Sequence, residues 1–158
     1  MYRVLSSADA RVVCLGVSAL LILLTSACHL PRWPVDAPIT SAYGLRLRGA
    51  RPDVHRGVDL DVPTGTPVRA MAEARVRFVG VMAGFGNVVW LDHGGGVLTV
   101  YAHLSEMRVR EAARIRPGEI LGLSGASGDV TAPHLHFEVW RWGRAVDPIP
   151  ALGGPPGR

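Results

Sequence analysis

The chain of 158 residues is long enough for one domain with one hydrophobic core. Its 17 basic residues are all arginine and lie without long runs or interleaved aromatic residues, so the net charge of +4 does not indicate a nucleic-acid groove. Only two cysteines, Cys14 and Cys28, are present, and Cys14 lies in a predicted leader, which excludes a disulfide framework in the mature domain.

The N-terminal residues have the pattern of an export signal. Arg3 and Arg11 precede an apolar run, Val12–Leu24, which is short for a membrane-spanning helix and has the length of a signal-peptide core. We therefore predict a signal peptide over residues 1–27 and an exported protein of the cell envelope.

Cys28 follows the small residues Thr25-Ser26-Ala27, and this junction resembles a bacterial lipobox, although Thr25 stands where that motif usually has leucine. The resemblance implies cleavage before Cys28, a lipid on its sulfur and anchoring to a membrane. An ordinary secretory signal cut near Ala27 is the alternative, and it leaves Cys28 as a free thiol.

The segments at the two ends of the mature chain are rich in proline. Residues 29–38 contain three prolines and show no apolar period, so we predict that residues 28–38 form a lipidated, stiff tether outside the core. Residues 150–158 are rich in proline and glycine and are predicted to be a flexible tail. The folded domain is expected over residues 39–149.

Within that domain, apolar and β-branched residues alternate with polar residues between turns of Gly, Pro, Asn and Asp. This pattern predicts an all-β fold, a compact antiparallel sheet or sandwich. Residues 45–54 and 108–116 are expected to be loops. The predicted strands are 39–43, 57–61, 67–70, 74–81, 87–92, 97–103, 119–123, 135–140 and 145–147.

Two short groups of residues suggest a metal site. His55 is followed four residues later by Asp59, about 13 Å away along an extended strand, so the chain must bend near Gly57 if both are to bind one metal. Taken alone, this pair is more often a surface ion pair. In the second group, His134, His136 and Glu138 share one face of a predicted strand, whose other face is apolar. A solvent-exposed polar face is the alternative there.

A fourth histidine, His103, ends a strand in which Thr99, Tyr101 and His103 are expected to share a face directed at the same groove. By itself such a histidine is more often a hydrogen-bonded structural residue. His93, beside Asp92 and three glycines, is interpreted as a turn residue outside the site.

Five motifs in this order resemble the lysostaphin-type (LytM-like) metallopeptidases, which act on peptidoglycan. They are His55-Arg56-Gly57-Val58-Asp59, residues 63–68 (PTGTPV), residues 84–87 (GFGN), residues 101–105 (YAHLS) and residues 133–138 (PHLHFE). The resemblance covers residues 39–148 and implies the duplicated hybrid fold of that family, with a central groove. It also implies a zinc endopeptidase that cleaves stem or cross-link peptides of the bacterial cell wall.

The resemblance further implies roles for individual residues. One Zn²⁺ would be held by His55, Asp59 and His136, and His103 and His134 would be the catalytic histidines. Tyr101 is a candidate oxyanion donor or substrate contact, with a packed tyrosine as the alternative. Ala74 and Ala112 stand where the family generally has turn glycines. If these positions need positive φ, each alanine is expected to reduce stability by about 1 kcal/mol.

Two other functions stay open. A non-catalytic regulator of other wall hydrolases is one, although the complete set of five site residues disfavours it. A lipid-anchored glycan-binding module using Trp90, Trp140 and Trp142 is the other. The protein is expected to be a monomer.

Overall fold

The computed structural model describes residues 31–48 and 50–157. The predicted signal peptide and Cys28 with its lipid lie outside these residues. In the described part of the chain, no helix is long and apolar enough to cross a membrane.

Short strands make up most of the described chain, which confirms the predicted all-β, antiparallel fold. The strands are β1 (Ile39–Ser41), β2 (Gly44–Arg48), β3 (Arg51–His55), β4 (Val58–Leu60), β5 (Pro67–Arg69), β6 (Ala74–Met82), β7 (Gly86–Asp92), β8 (Val97–Met107), β9 (Arg114–Ile115), β10 (Ile120–Ser124), β11 (Leu135–Arg141) and β12 (Arg144–Val146). A single helical turn, α1 (Pro148–Ala151), follows β12.

Ten of these strands form one sheet with the order β1-β4-β11-β8-β7-β6-β9, and β12 pairs with β11. Strand β10 pairs with both β8 and β5, which brings β5 into the same sheet. The hairpin β2–β3 is a separate two-stranded ribbon. The strands that carry Asp59 and His136, β4 and β11, are direct neighbours, whereas His55 ends β3 of the separate ribbon.

The period-two pattern of the central strands gives the sheet two different faces. Along β11, Leu135, Phe137 and Val139 are almost completely buried in the main core. The alternate residues of the same strand, beginning with His136 and Glu138, must therefore project from the opposite face. A smaller apolar cluster around Val88, Val100 and Ala102 lies on this second face, where Ala102 pairs with His136.

The proline-rich N-terminal segment is part of the fold, so the prediction of a tether outside the core is wrong for residues 31–38. Val35 and Ala37 are buried in the main core, and the Trp33 ring lies 6.1 Å from that of Phe137. Its apolar side chains, Trp33, Val35 and Ala37, recur at every second residue and pack on the core, with a bend at residues 34 and 35. The prediction that these residues show no apolar period overlooked this period of two.

Two further expectations need correction. The expected loop at residues 45–54 is largely the β2–β3 hairpin, in which Leu45 pairs with Val54. Its apolar side chains are exposed, so no buried face marked it as a strand pair. The expected flexible tail begins with α1 and a Leu152 side chain that packs on the core, and Gly154 accepts a hydrogen bond from the Trp33 indole.

Candidate metal centre

The bend that His55 and Asp59 require lies between β3 and β4. His55 ends β3, Val58 begins β4, and Arg56-Gly57 turns the chain between them. Gly57 allows the chain to pass close to β11, because a Cβ atom at this position would lie 2.2 Å from the Phe137 carbonyl oxygen. The φ angle of Gly57 is not positive, so the glycine is needed for space and not for its backbone conformation. The bend therefore presses β4 against β11 and brings both side chains to the edge of the groove.

Pairing of β4 with β11 places Asp59 directly opposite His136. Asp59 Oδ1 lies 3.1 Å from His55 Nε2 and 2.9 Å from His136 Nδ1, and the two nitrogens are 3.1 Å apart. Ligand atoms on a tetrahedral zinc ion lie about 3.3 Å apart when each bond is about 2.05 Å. The three side chains thus form a group of the right size to bind a single metal ion.

The outer hydrogen bonds of the two histidines fix which nitrogens face the centre. His55 Nδ1 lies 2.8 Å from the Ala42 carbonyl oxygen, which can only accept, so this nitrogen carries the proton. His136 Nε2 lies 3.0 Å from the Glu138 carboxylate and donates to it. When both imidazoles are neutral, the lone pairs of His55 Nε2 and His136 Nδ1 and the Asp59 carboxylate oxygen point at one another. A cation between them stabilises this arrangement.

The charges at the centre are strongly coupled. Burial acts to raise the pKa of Asp59, but hydrogen-bond contacts and charge interactions with His136 and His55 outweigh it and hold this pKa well below its usual range. Burial acts to lower the pKa of His136, yet the carboxylates of Asp59 and Glu138 raise it to about 9. A proton and a metal ion therefore compete for the same nitrogen.

His103 reaches the groove through an irregularity in β8. The residue has a φ of 61°, and the ladder between β7 and β8 shifts register beside it, with Asn87 opposite Leu104 and Val89 opposite Tyr101. The extra residue reverses the alternation, so His103 leaves the face that it was expected to share with Tyr101. This correction brings His103 to the side of the sheet that carries His136, 5.8 Å from it between ring centroids.

His103 and His134, the two histidines outside the ligand group, are each held by a hydrogen bond to a backbone carbonyl oxygen. His103 Nδ1 lies 2.9 Å from the Ser127 carbonyl oxygen, and His134 Nδ1 lies 2.9 Å from that of Ala132. Both rings therefore direct Nε2 into the groove, with their centroids 4.7 Å apart. Burial and the neighbouring histidines lower the pKa of His103 to about 4, so His103 is neutral at neutral pH.

Tyr101 does not belong to this group, and the interpretation of it as a substrate contact is wrong. Its side chain is fully buried in the main core, where the hydroxyl accepts a hydrogen bond from Met71 N–H and contacts Thr99 Oγ1. His93 also lies apart, bonded to the Glu73 carbonyl oxygen and to Thr99. The alternative of a packed tyrosine holds.

The five candidate residues line one open groove of about 760 Å³. The β2–β3 hairpin forms one wall through Leu47 and Val54, and the turn at Gly84-Phe85 and the loop at residues 129–131 contribute the others. A groove of this volume has room for a short peptide segment beside the candidate metal-binding group.

The candidate metal-binding group lies with two further histidines in an open groove on an antiparallel sheet. The sequence matches the model of peptidase family M23 over residues 53–148. The chain belongs to peptidase family M23. This confirms the resemblance stated from the five motifs.

Several M23 proteins are similar to this chain. The DD-carboxypeptidase/endopeptidase Mpg of Neisseria meningitidis is 41% identical over 113 residues, which are 70% of this chain and 26% of Mpg. The murein hydrolase activator EnvC of Escherichia coli is 36% identical over 121 residues, 77% of this chain and 28% of EnvC. The chain therefore spans about a quarter of the length of these curated relatives.

Among solved structures, the catalytic domain of the antimicrobial peptidase lysostaphin from Staphylococcus simulans superimposes with a TM-score of 0.68 at 34% identity. The match covers 73% of this chain and 92% of the lysostaphin domain. The fold and the lysostaphin-type resemblance therefore agree.

Two residues of this M23 site were absent from the predicted set. Glu138 is buried and accepts hydrogen bonds from His136 Nε2 and from the Trp140 indole, and its position on the face of the two histidines was a usable signal. Arg46 contacts Asp59 Oδ2 at 3.1 Å from the β2–β3 hairpin. No sequence signal pointed to Arg46, because the hairpin was expected to be a loop.

Proposed function

We propose that this protein is a zinc-dependent endopeptidase that hydrolyses peptide bonds in bacterial peptidoglycan. The observation that carries the proposal is the convergence of His55, Asp59 and His136, each with its lone pair directed at one point, in a domain of family M23. Three protein ligands leave an open coordination position, as in catalytic zinc sites. Similarity to Mpg and to lysostaphin supports a peptidase acting on the cell wall.

Zinc in this site would supply Lewis-acid chemistry, because it activates water near neutral pH and polarises a carbonyl group. The residues of the chain supply proton transfer. Nε2 of His103 and Nε2 of His134 face the groove, so one imidazole accepts the proton released by the attacking water and the pair returns a proton to the leaving amine. The low pKa of His103 keeps its Nε2 available as an acceptor.

The test is digestion of purified peptidoglycan, with mass analysis of the released fragments. Cleavage is expected with zinc, is lost with a chelator and returns when zinc is restored. His136→Ala and Asp59→Ala are expected to lose both zinc and turnover, whereas His134→Ala keeps zinc and loses most turnover. Unchanged muropeptides with a zinc-loaded, folded protein would exclude the peptidase function.

A non-catalytic activator of wall hydrolases is the second candidate, supported by the similarity to EnvC. The two functions predict different results for His134→Ala. An activator that uses the groove only for binding keeps its effect on a partner hydrolase in this variant. A peptidase loses its own turnover, and purified peptidoglycan stays intact.

The export signal and the lipobox-like junction further support a lipoprotein of the cell envelope, anchored through Cys28. Metabolic labelling with a fatty acid tests this point. Label is expected on the wild-type protein and not on Cys28→Ser, and an unlabelled wild type excludes the anchor.

A further inference from the structure

We propose that Arg46 is a positioning residue, which fixes the orientation of the ligand carboxylate of Asp59 and couples the hairpin wall of the groove to the metal site. The inference rests on the proposed zinc site. It concerns a residue of the β2–β3 hairpin that belongs neither to the ligands nor to the catalytic histidines.

The guanidinium group of Arg46 makes three polar contacts at once. Nη1 donates to Asp59 Oδ2 at 3.1 Å and to Ser41 Oγ at 2.7 Å, and Nε donates to Asp53 Oδ2 at 3.1 Å. Ser41 Oγ in turn lies 3.3 Å from His55 Nδ1. Arg46 thus reaches two of the three candidate ligands, Asp59 directly and His55 through Ser41.

The two oxygens of Asp59 have separate partners. Oδ1 faces His55 and His136, whereas Oδ2 is bound by Arg46. A carboxylate without such a partner is free to rotate or to offer both oxygens to a metal. Because the guanidinium is planar and its donors are fixed in direction, Arg46 holds the carboxylate in the orientation that presents Oδ1 alone.

An ordinary surface ion pair is the simpler interpretation, since the side chain of Arg46 is 31% exposed and such pairs contribute little to stability. The contacts argue against it. The arginine is itself held by Asp53 from the facing strand of the hairpin, and its target is a ligand carboxylate only 14% exposed. Groups that orient metal ligands typically change metal affinity about 10–100-fold when removed.

The charge of Arg46 and its positioning role predict opposite changes of Zn²⁺ affinity for Arg46→Met. Arg46 places a positive charge beside a cation site, so a purely electrostatic effect would make Arg46→Met bind Zn²⁺ more tightly. Loss of carboxylate orientation makes it bind more weakly. We expect Zn²⁺ affinity to fall about 10–100-fold in Arg46→Met. Arg46→Lys should bind Zn²⁺ with intermediate affinity, because the lysine ammonium group can hold one acceptor but lacks the planar set of donors of the guanidinium group.

The experiment measures Zn²⁺ affinity by competition with a chromophoric chelator, together with the visible absorption of the Co²⁺-loaded protein, which reports ligand geometry. Arg51→Met is the matched control, since Arg51 is an exposed arginine of the same hairpin. We expect Arg46→Met to change the affinity and the Co²⁺ spectrum, and Arg51→Met to change neither. The thermal transitions of the two metal-free variants should coincide.

Affinity and spectrum of Arg46→Met equal to those of the wild type, or a tighter Zn²⁺ complex, would overturn the positioning role. If Arg46→Met does not fold, the same comparison is made with Arg46→Lys, for which unchanged affinity and spectrum are the contrary result. A wild-type protein that binds no Zn²⁺ would refute the proposed function itself. The two failures are therefore distinguishable.

Discussion

At the scale of single residues, Tyr101 shows how an alternating pattern can assign a side chain to the wrong face of a sheet, here to the groove in place of the core. The residue occupies the core, and its hydroxyl is the partner of the buried Met71 N–H. Tyr101→Phe leaves that N–H unpaired, so we expect the free energy of unfolding to fall by about 1–3 kcal/mol. Because the ring lies outside the groove, kcat/KM on peptidoglycan fragments should not change.

Urea unfolding and steady-state assays of the Tyr101→Phe variant check this expectation. A variant with full stability and reduced turnover would return Tyr101 to the active site.

Ala112 adopts the backbone conformation that glycine favours, with a φ of 62°, and its side chain is exposed. The left-handed conformation costs an alanine about 1–2 kcal/mol, whereas a glycine costs about 0.4–1 kcal/mol of additional unfolded-state entropy. Ala112→Gly is therefore expected to raise the free energy of unfolding by up to about 1 kcal/mol.

Ala74 is the matched control for Ala112→Gly. It is buried, begins β6 and has no positive φ, so Ala74→Gly should destabilise the protein. Chemical unfolding of both variants compares the two positions, and equal effects would contradict the conformational argument.

At the scale of elements, the connection from β7 to β8 carries a partly buried group of hydrogen bonds that links it to Glu73, the residue before β6. His93 lies in it, bonded to the Glu73 carbonyl oxygen and to Thr99. Burial lowers the pKa of His93, although the Glu73 carbonyl and the charge of Asp92 act to raise it. The native protein therefore takes up a proton at His93 less readily than the unfolded chain.

Since the unfolded state binds more protons at His93 below its ordinary pKa of 6.5, this group reduces stability as the pH falls below that value. We expect the free energy of unfolding to decrease less between pH 7.5 and 5.5 in His93→Gln than in the wild type. The difference between the two proteins isolates His93, because the site histidines titrate in both. Parallel pH profiles from urea titrations would exclude the effect.

The placement of most candidate site residues was predictable, because their motifs are local and their strands alternate clearly. The pattern of residues 134–138 places His136 on the polar face of a strand whose other face is buried, and the structure has this arrangement. The irregularity at His103 was not predictable, since a positive φ on a histidine leaves no trace in hydrophobic periodicity. Nor was Arg46, which depends on a hairpin that buries no apolar face.

At the scale of the whole molecule, the N-terminal segment changes how an anchored form would be arranged. Arg32 N–H donates to the Met71 carbonyl oxygen and Arg69 N–H donates to that of Pro34, so the chain is held by the domain from its first described residues. If Cys28 carries a lipid, few residues remain between the anchor and the packed segment. The domain would then be held close to its membrane.

The same packing makes a prediction for truncation. A protein that begins at residue 39 loses Trp33, Val35 and Ala37 from the core, whereas one that begins at residue 31 keeps them. Burial of a valine such as Val35 contributes about 1.5–3 kcal/mol, and Trp33 and Ala37 add further buried apolar area, so the shorter protein should be less stable by several kcal/mol. Denaturant midpoints of the two proteins measure the difference. Equal midpoints would mean that the segment is a tether after all and adds nothing to the stability of the domain.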